Sequence, residues 1–268
     1  MAKEYQLVLP MDRNDTVKNQ FGWLPLSVYK PGKGKEWDQF IQDDGDPAGT
    51  RRSQGAKYLP GLRFSRFNPE LAEKVIRYWS LEDSVILDPF SGRSTRAVVA
   101  TQLKRHYVGY EIVPQVAKRT QEMSGATIHI ADGCLMDQTP DNSADLVFTC
   151  PPYHRLERYE VIEGQLSEIK PYDQFLVSIA RAAGNIFRVM KPGAFLCWVC
   201  ADWRDGKAFR LFHRDSLQIF EETGLMTHDI VIIHNNSPFA PLQAGKVAAK
   251  RYTSKVHEYL LVFRKSDA

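Results

Sequence analysis

The sequence predicts an α/β fold built on a mainly parallel sheet with helices on both faces, and three observations lead there. Short runs of β-branched and other apolar residues alternate with segments of helical period from residue 68 onward, the order that builds strand–helix–strand units. The last two apolar runs, HDIVIIHN and HEYLLVFRK, are joined by residues 236–256 and suit an antiparallel pair at the sheet edge. A length of 268 residues with 43% hydrophobic content supplies the core for one large domain of this kind.

In chain order, residues 1–60 are rich in Gly, Pro and Asp, as in KPGKGKEWDQ and DDGDPAGTRR, and hold no sustained period. They are expected to form a loop-rich arm with a short helix at most. The main domain is expected over residues 61–268. PELAEKVIRYW has helical spacing with Pro69 at a helix-start position. SVILDPFSGRSTRAVVATQL reads as strand, tight turn and helix, HYVGYEI as a strand, VPQVAKRTQEMSG as a helix, and ATIHIADG and ADLVFTC as two further strands. YDQFLVSIARAAGNIFRVM is a helix that gives way to a strand in KPGAFLCWVC, SLQIFEETGL is a helix, and the edge pair follows. No internal repeat or low-complexity segment interrupts this order.

Composition narrows the function classes. No apolar run approaches the ~18 to 20 residues of a membrane span, and MAKEYQLVLPMDRND lacks the charge and hydropathy pattern of a signal peptide. Cys134, Cys150, Cys197 and Cys200 sit among apolar or motif residues and not in a disulfide framework, so a reducing cytoplasm is the expected location. The Cys197-x-x-Cys200 spacing lies inside an apolar strand pattern without a second ligand pair, and no metal is expected. Residues 244–268 hold six basic and two acidic residues, an excess that suits a polyanionic partner, although a solvated basic face would look the same.

In an open parallel sheet, ligands bind beyond the carboxyl ends of the strands, where strand order reverses. Three acids stand at such ends. Asp88 opens Asp88-Pro-Phe-Ser-Gly92-Arg-Ser-Thr95, a turn into a helix that has one glycine and so is neither GxGxxG nor a phosphate loop. An acid in that turn would repel phosphate and could hold an ammonium. Glu111, 23 residues further on, closes the next strand and suits two ribose hydroxyls. Asp132, before Gly133 and Cys134, could accept from an adenine amino group; an ordinary Asp-Gly turn is the plainer reading of that dipeptide alone. The three together describe a pocket for an adenosyl and amino-acid cofactor.

The fourth strand ends in Thr149-Cys-Pro-Pro-Tyr153. Pro151 and Pro152 have fixed φ and no N–H, so they present rigid carbonyl acceptors, and Tyr153 offers a face for a flat heterocycle. The combination suits a planar exocyclic amine.

DPFSGRSTR followed by TCPPY resembles the S-adenosylmethionine-dependent amino-methyltransferases of DNA that make N6-methyladenine or N4-methylcytosine. The likeness extends over about residues 60 to 265, through FNPELAEKVIRYW, FLCWVCADWRDGKAFRLFHRDSLQIFEETGL and HEYLLVFRK, and looks closest to small solitary phage and prophage methylases. The resemblance implies a seven-stranded Rossmann-like class I methyltransferase sheet and S-adenosylmethionine as cofactor. It also implies Asp88, Phe90, Gly92 and Thr95, with neighbouring Ser94, at the methionine portion, and Phe67 and Asn68 at its carboxylate. Glu111 and Ile112 would lie at the ribose, Asp132, Gly133 and Cys134 at the adenine, and Cys150, Pro151, Pro152 and Tyr153 would form the catalytic loop. Ser94 stands where the family usually has a second glycine, and Arg93 is an added charge. Cys150 replaces the usual Asp or Ser; its size is close to serine, which favours N4 of cytosine slightly over N6 of adenine.

Double-stranded DNA is the partner that the resemblance implies, reached by flipping a base out of the duplex. The candidate DNA contacts are Arg155 and Arg158 after the catalytic loop and Lys246, Lys250, Arg251 and Lys255 in the long final connection. No room remains for a large recognition domain, so residues 21–60 or a homodimer would complete the reader. His154, His213 and His257 are expected to be structural or solvated. The competing readings are methylation of an RNA base or a protein glutamine, and an inactive DNA-binding relative; a dehydrogenase is opposed by the missing GxGxxG.

Overall fold

All but one of the strands of the main sheet run in the same direction. The computed structural model describes residues 21, 25–41, 67–154, 164–235, 247–248 and 250–267. Its elements in order are β1 (Val28–Tyr29), α1 (Asp38–Ile41), α2 (Pro69–Trp79), β2 (Val85–Asp88), α3 (Thr95–Gln102), β3 (His106–Glu111), α4 (Pro114–Ser124), β4 (Thr127–Ile130) and β5 (Ala144–Thr149). The second half holds α5 (Tyr172–Val189), β6 (Met190–Cys200), β7 (Trp203–Asp205), β8 (Ala208–Arg210), α6 (Phe212–Glu222), β9 (Met226–His234) and β10 (His257–Arg264). Single 3-10 turns stand at Lys35–Trp37 and Leu166–Glu168.

The sheet order is β1-β9-β10-β6-β5-β2-β3-β4, and β10 is antiparallel to both of its neighbours. The Rossmann-like methyltransferase fold is therefore as expected, with one correction: the sheet has eight strands and not seven. The eighth is Val28–Tyr29, which pairs in parallel with Ile232 and Ile233 outside β9. Two residues are too short to carry a period in the sequence. The same segment docks residues 25–41 onto the domain. Tyr29 Oη donates to Glu70 at 2.8 Å, Trp37 Nε1 donates to Glu73 at 2.9 Å, and Trp37 and Ile41 join the core around Leu71 and Val75. A second departure is the β7–β8 hairpin, which forms its own two-stranded sheet where the sequence shows only the loop ADWRDGK.

Alternation along the strands divides the core into two layers, as a sheet covered on both faces requires. Ile86, Leu146, Phe148, Cys197 and Val199 pack with α2 and α3, while Leu87, Val147, Leu196, Trp198 and Cys200 pack with α5 and α6. Cys197 and Cys200 thus lie on opposite faces of β6, and burial holds both thiols well above their usual pKa. They form neither a redox pair nor a shared metal site. No helix among the described residues is long and apolar enough to cross a membrane.

Asn68, expected at the cofactor, caps a helix. Its Oδ1 accepts from Leu71 N at 3.0 Å, its Nδ2 donates to Gly32 O at 2.9 Å, and Pro69 follows at the first helical position. Asn68→Ala is expected to lower stability by about 1 kcal/mol in chemical denaturation while leaving cofactor affinity, measured by calorimetry, unchanged.

Candidate active site

Strand order reverses between β2 and β5, and the carboxyl ends of β2, β3 and β5, with the turn after β4, surround one open cleft of about 860 Å³ counting the solvent at its mouth. That is the place where an open parallel sheet takes its ligand. Its floor is set by a residue that does not line it. Asp88 is fully buried, and four protein donors occupy its two oxygens: Phe90 N at 3.0 Å and Thr149 Oγ1 at 2.6 Å on Oδ1, and Arg96 Nε at 2.6 Å and Tyr107 Oη at 2.7 Å on Oδ2. Burial is the largest influence and works against the Arg96 charge, but the Asp88 carboxylate, Tyr107 and Cys150 together outweigh it and raise the guanidinium above its ordinary value. The expected contact between Asp88 and a ligand ammonium is therefore corrected: no oxygen of Asp88 remains to make it. Arg96 Nη2 donates to the carbonyls of Phe90 and Ser91, fixing the turn, and the guanidinium lies 4.8 Å over the ring of Phe67.

Gly92, at φ +54°, turns the chain into α3. Its N–H and those of Ile112 and Val113 hold the carboxylate of Glu111, the last at 2.8 Å. Burial is nevertheless the largest influence on Glu111 and lifts its pKa to about 7. Gly133 carries the closest backbone approach in the site: a Cβ there would stand 1.7 Å from Pro89 O. Only glycine lets the turns after β2 and β4 meet. Asp132 receives Cys134 N at 2.8 Å on Oδ1, and its Oδ2 is the oxygen beside Gly164, facing the cleft.

The opposite wall is Cys150 to Tyr153. Tyr153 is half-buried, with its hydroxyl turned inward in a long 3.4 Å hydrogen bond to Glu258 and its ring edge-on to Trp203 at 6.2 Å. Burial, then the neighbouring Cys150 and Glu258, keep the phenol far above its usual pKa, so it stays a neutral donor. The ring face left over lines the cleft.

Of the residues expected at the site, the cleft brings together Phe67, Phe90, Gly92, Glu111, Ile112, Asp132, Gly133, Cys150, Pro151, Pro152 and Tyr153. It does not include Asn68, Asp88, Ser94, Thr95 or Cys134. Ser94 and Thr95 are buried at the start of α3, and Cys134 faces a shallower neighbouring pocket with Gln165 and Arg181. The sequence reading missed Gly164, Gln165 and Leu166, which close the cleft beside Ile112 and Asp132. The only trace they leave is a glycine at φ +88°. Lys250 and Arg251 are exposed. Lys255 is turned inward and donates to the backbone carbonyl of Asp202, and burial lowers its pKa, so it is not placed as a surface clamp. Arg155, Arg158 and Lys246 lie outside the described residues.

A buried carboxylate at the second strand end, a second acid at the next, and a backbone cradle that admits no Cβ fit an adenosyl ligand with free ribose hydroxyls. The class that this sheet order and this cleft define is the Rossmann-like methyltransferases. Within that class, the chain belongs to the DNA methylase family of N6/N4 amino-methyltransferases, whose profile matches residues 29–122 and 144–268, and S-adenosylmethionine is its cofactor. It is 27% identical over 166 residues to the type II methyltransferase M.MjaI of Methanocaldococcus jannaschii, covering 52% of this chain and 55% of that one. It is 30% identical over 142 residues to M.XycI of Xanthomonas campestris pv. cyanopsidis, covering 44% and 47%. The chain thus spans about half the length of the curated relatives it matches. Among solved structures, the [4+2]-cyclase SpnF superposes with a TM-score of 0.53 at 17% identity over 75% of this chain and 82% of that one, a likeness of fold alone.

Two outcomes are expected here. Asp88→Asn leaves the Arg96 charge buried without its counter-ion and should destabilise the protein by about 3–5 kcal/mol in urea titrations. Ribose hydroxyls bound by Glu111 would favour its ionised form, so on that assignment S-adenosylmethionine affinity should rise with pH through about 7 and be roughly tenfold weaker at pH 6 than at pH 8. Calorimetry in buffers of different ionisation heat should show a proton released near neutrality, and Glu111→Gln should flatten the profile. The same raised pKa works the other way on the unliganded fold, whose stability from this group falls as pH rises from the ordinary carboxylate range through about 7.

Proposed function

We propose that the protein transfers the methyl group of S-adenosylmethionine to an exocyclic amino nitrogen of a base flipped out of double-stranded DNA, with N4 of cytosine favoured over N6 of adenine. The observation that carries this reading is that the Cys150–Tyr153 loop and the Glu111–Asp132 edge are two walls of one cleft. A methyl group held at the second wall then lies within reach of an amine held at the first.

When bound, the cofactor supplies an electrophilic methyl on a sulfonium. Glu111 would hold its ribose and Asp132 its adenine amine, with Ile112 and Leu166 on the ring faces. The chain's task at the other wall is orientation. The proline pair cannot donate, so its carbonyls accept the two amine hydrogens and leave the nitrogen lone pair directed across the cleft. Tyr153 holds the base plane, its own tilt fixed by Glu258 and Trp203. Cys150 adds only a weak acceptor, so the backbone carbonyls carry the electrostatic stabilisation as positive charge develops on the amine. Cys150 precedes the prolines, whereas attack on a pyrimidine ring carbon uses a thiol that follows one. The favoured base rests on size: a thiol is close to a serine hydroxyl and shorter than an aspartate.

The test is incubation with tritiated S-adenosylmethionine and unmethylated duplex DNA, followed by digestion to nucleosides. Label is expected in N4-methylcytosine; label in N6-methyladenine would reverse the base assignment, and label confined to RNA or protein substrates would overturn the DNA reading. Tyr153→Ala should abolish transfer with cofactor affinity largely unchanged, and Tyr153→Phe should retain most of the base contact while loosening the ring.

A further inference from the structure

The β7–β8 hairpin leaves the same edge of the sheet as the catalytic loop. It follows β6, whose carboxyl end lies beside that of β5, and pairs Trp203 with Arg210, Arg204 with Phe209 and Asp205 with Ala208 around a turn at Gly206 (φ +61°) and Lys207. Its root is buried. Trp203 packs against Tyr153 at 6.2 Å, His154 at 6.3 Å, Tyr172 at 5.8 Å and Phe212 at 5.5 Å, which fixes the hairpin relative to the catalytic loop.

Its outer surface is cationic and aromatic together. Arg204 and Phe209 face one another across the two strands, both exposed, with the guanidinium 4.9 Å from the centre of the Phe209 ring. The same guanidinium lies 3.5 Å from the centre of the Tyr252 ring. The pair of aromatic contacts immobilises Arg204 without neutralising it: no carboxylate partners it among the described residues. Tyr252 brings Lys250 and Arg251 to the same place, both exposed on a turn closed by bonds from Lys250 N and Tyr252 N to Val247 O. Lys207 at the hairpin tip adds a fourth exposed cation. The acids nearby are Asp205, bonded to Arg210 at 3.4 Å, and the buried Asp202, which holds His213. Phe209 remains 46% exposed, its ring available to a partner at the hairpin surface.

We infer that the β7–β8 hairpin, with the Lys250–Tyr252 turn behind it, is a clamp for the sugar–phosphate backbone of duplex DNA beside the extruded base. Arg204 and Lys207 contact phosphates and Phe209 lies against the adjoining sugar edge. Arg204, stacked on two rings, offers its charge with little conformational freedom left to lose, which is what a register-setting backbone contact requires. The inference rests on the DNA reading of the cleft and adds to it the element that holds the duplex.

The experiment measures binding of a short fluorescein-labelled duplex of mixed sequence by anisotropy across a salt series, with S-adenosylmethionine affinity measured in parallel as the check on folding. Removing both cations in Arg204→Ala/Lys207→Ala should make the slope of log affinity against log salt shallower by about 2 and weaken binding roughly tenfold or more at moderate salt. Cofactor affinity should stay at the wild-type level. Arg204→Lys should restore the slope at that position but not the full affinity, because the charge returns without the stack. A double variant with normal cofactor binding and an unchanged slope and affinity overturns the clamp while the wild-type protein still binds and methylates DNA. A wild-type protein that methylates RNA or protein and not DNA overturns the DNA reading itself and the clamp with it.

Discussion

The carboxylate of Asp88 is the interaction on which the geometry of the cleft depends. It lies at the end of β2, the strand on which the sheet order turns, and joins four pieces of chain to that strand: its own turn through Phe90, β3 through Tyr107, β5 through Thr149, and α3 through Arg96, which in turn grips the carbonyls of Phe90 and Ser91. An ionised carboxylate with no exposure is tolerated only because every lone-pair direction meets a donor and one donor is a cation. Thr149 is the residue before Cys150, so the Cys150–Tyr153 loop starts from the same anchor as the turn after β2. The spacing of the two walls is thus set inside the protein.

The sheet, its strand ends and the TCPPY loop were legible because strand–helix alternation and the position of acids after apolar runs are local patterns. Asp88 was misread because its partners are remote: Thr149 is 61 residues away and Tyr107 lies on another strand, and no local pattern distinguishes an acid that holds a ligand from one that holds the fold. Asn68, placed at the ligand by the family resemblance, is seen instead capping α2, with its side chain outside the lining of the cleft. The strand Val28–Tyr29, the local β7–β8 hairpin of two three-residue strands and the wall at Gly164–Leu166 are too short for their sequences to carry a period of their own. Lys255 counted as a surface charge because nothing in QAGKVAAKRYTSK shows which lysine turns inward.

Behind Tyr153 lies a polar layer that no single motif announces. Glu258 on β10 accepts from Tyr153, and burial raises its pKa against the opposing effects of Asn235, Lys255 and Tyr153. Lys255 reaches the Asp202 carbonyl, Asp202 binds His213 through Nδ1 at 2.8 Å, and His213 stacks on Tyr259 at 4.2 Å. These groups come from β10 and the residues just before it, from those just after β6 and β9, and from α6. The layer ties the catalytic loop and the hairpin to one support, since Asp202 and Trp203 are adjacent in the chain.

That layer also bears on the chemistry at the cleft. In the proposed transfer, positive charge moves from the sulfonium to the amine, and the groups that gain are those presenting negative potential at the loop. Cys150 offers only a weak acceptor, and Asp88 is neutralised by Arg96. The remaining sources are the proline carbonyls and the ring of Tyr153, whose neutral hydroxyl donates to Glu258 and so places electron density on the ring face that the developing cation meets. In the proposed reading, a loop with Cys at its first position would rely on the proline carbonyls and on Tyr153, whose hydroxyl donates to Glu258 on β10.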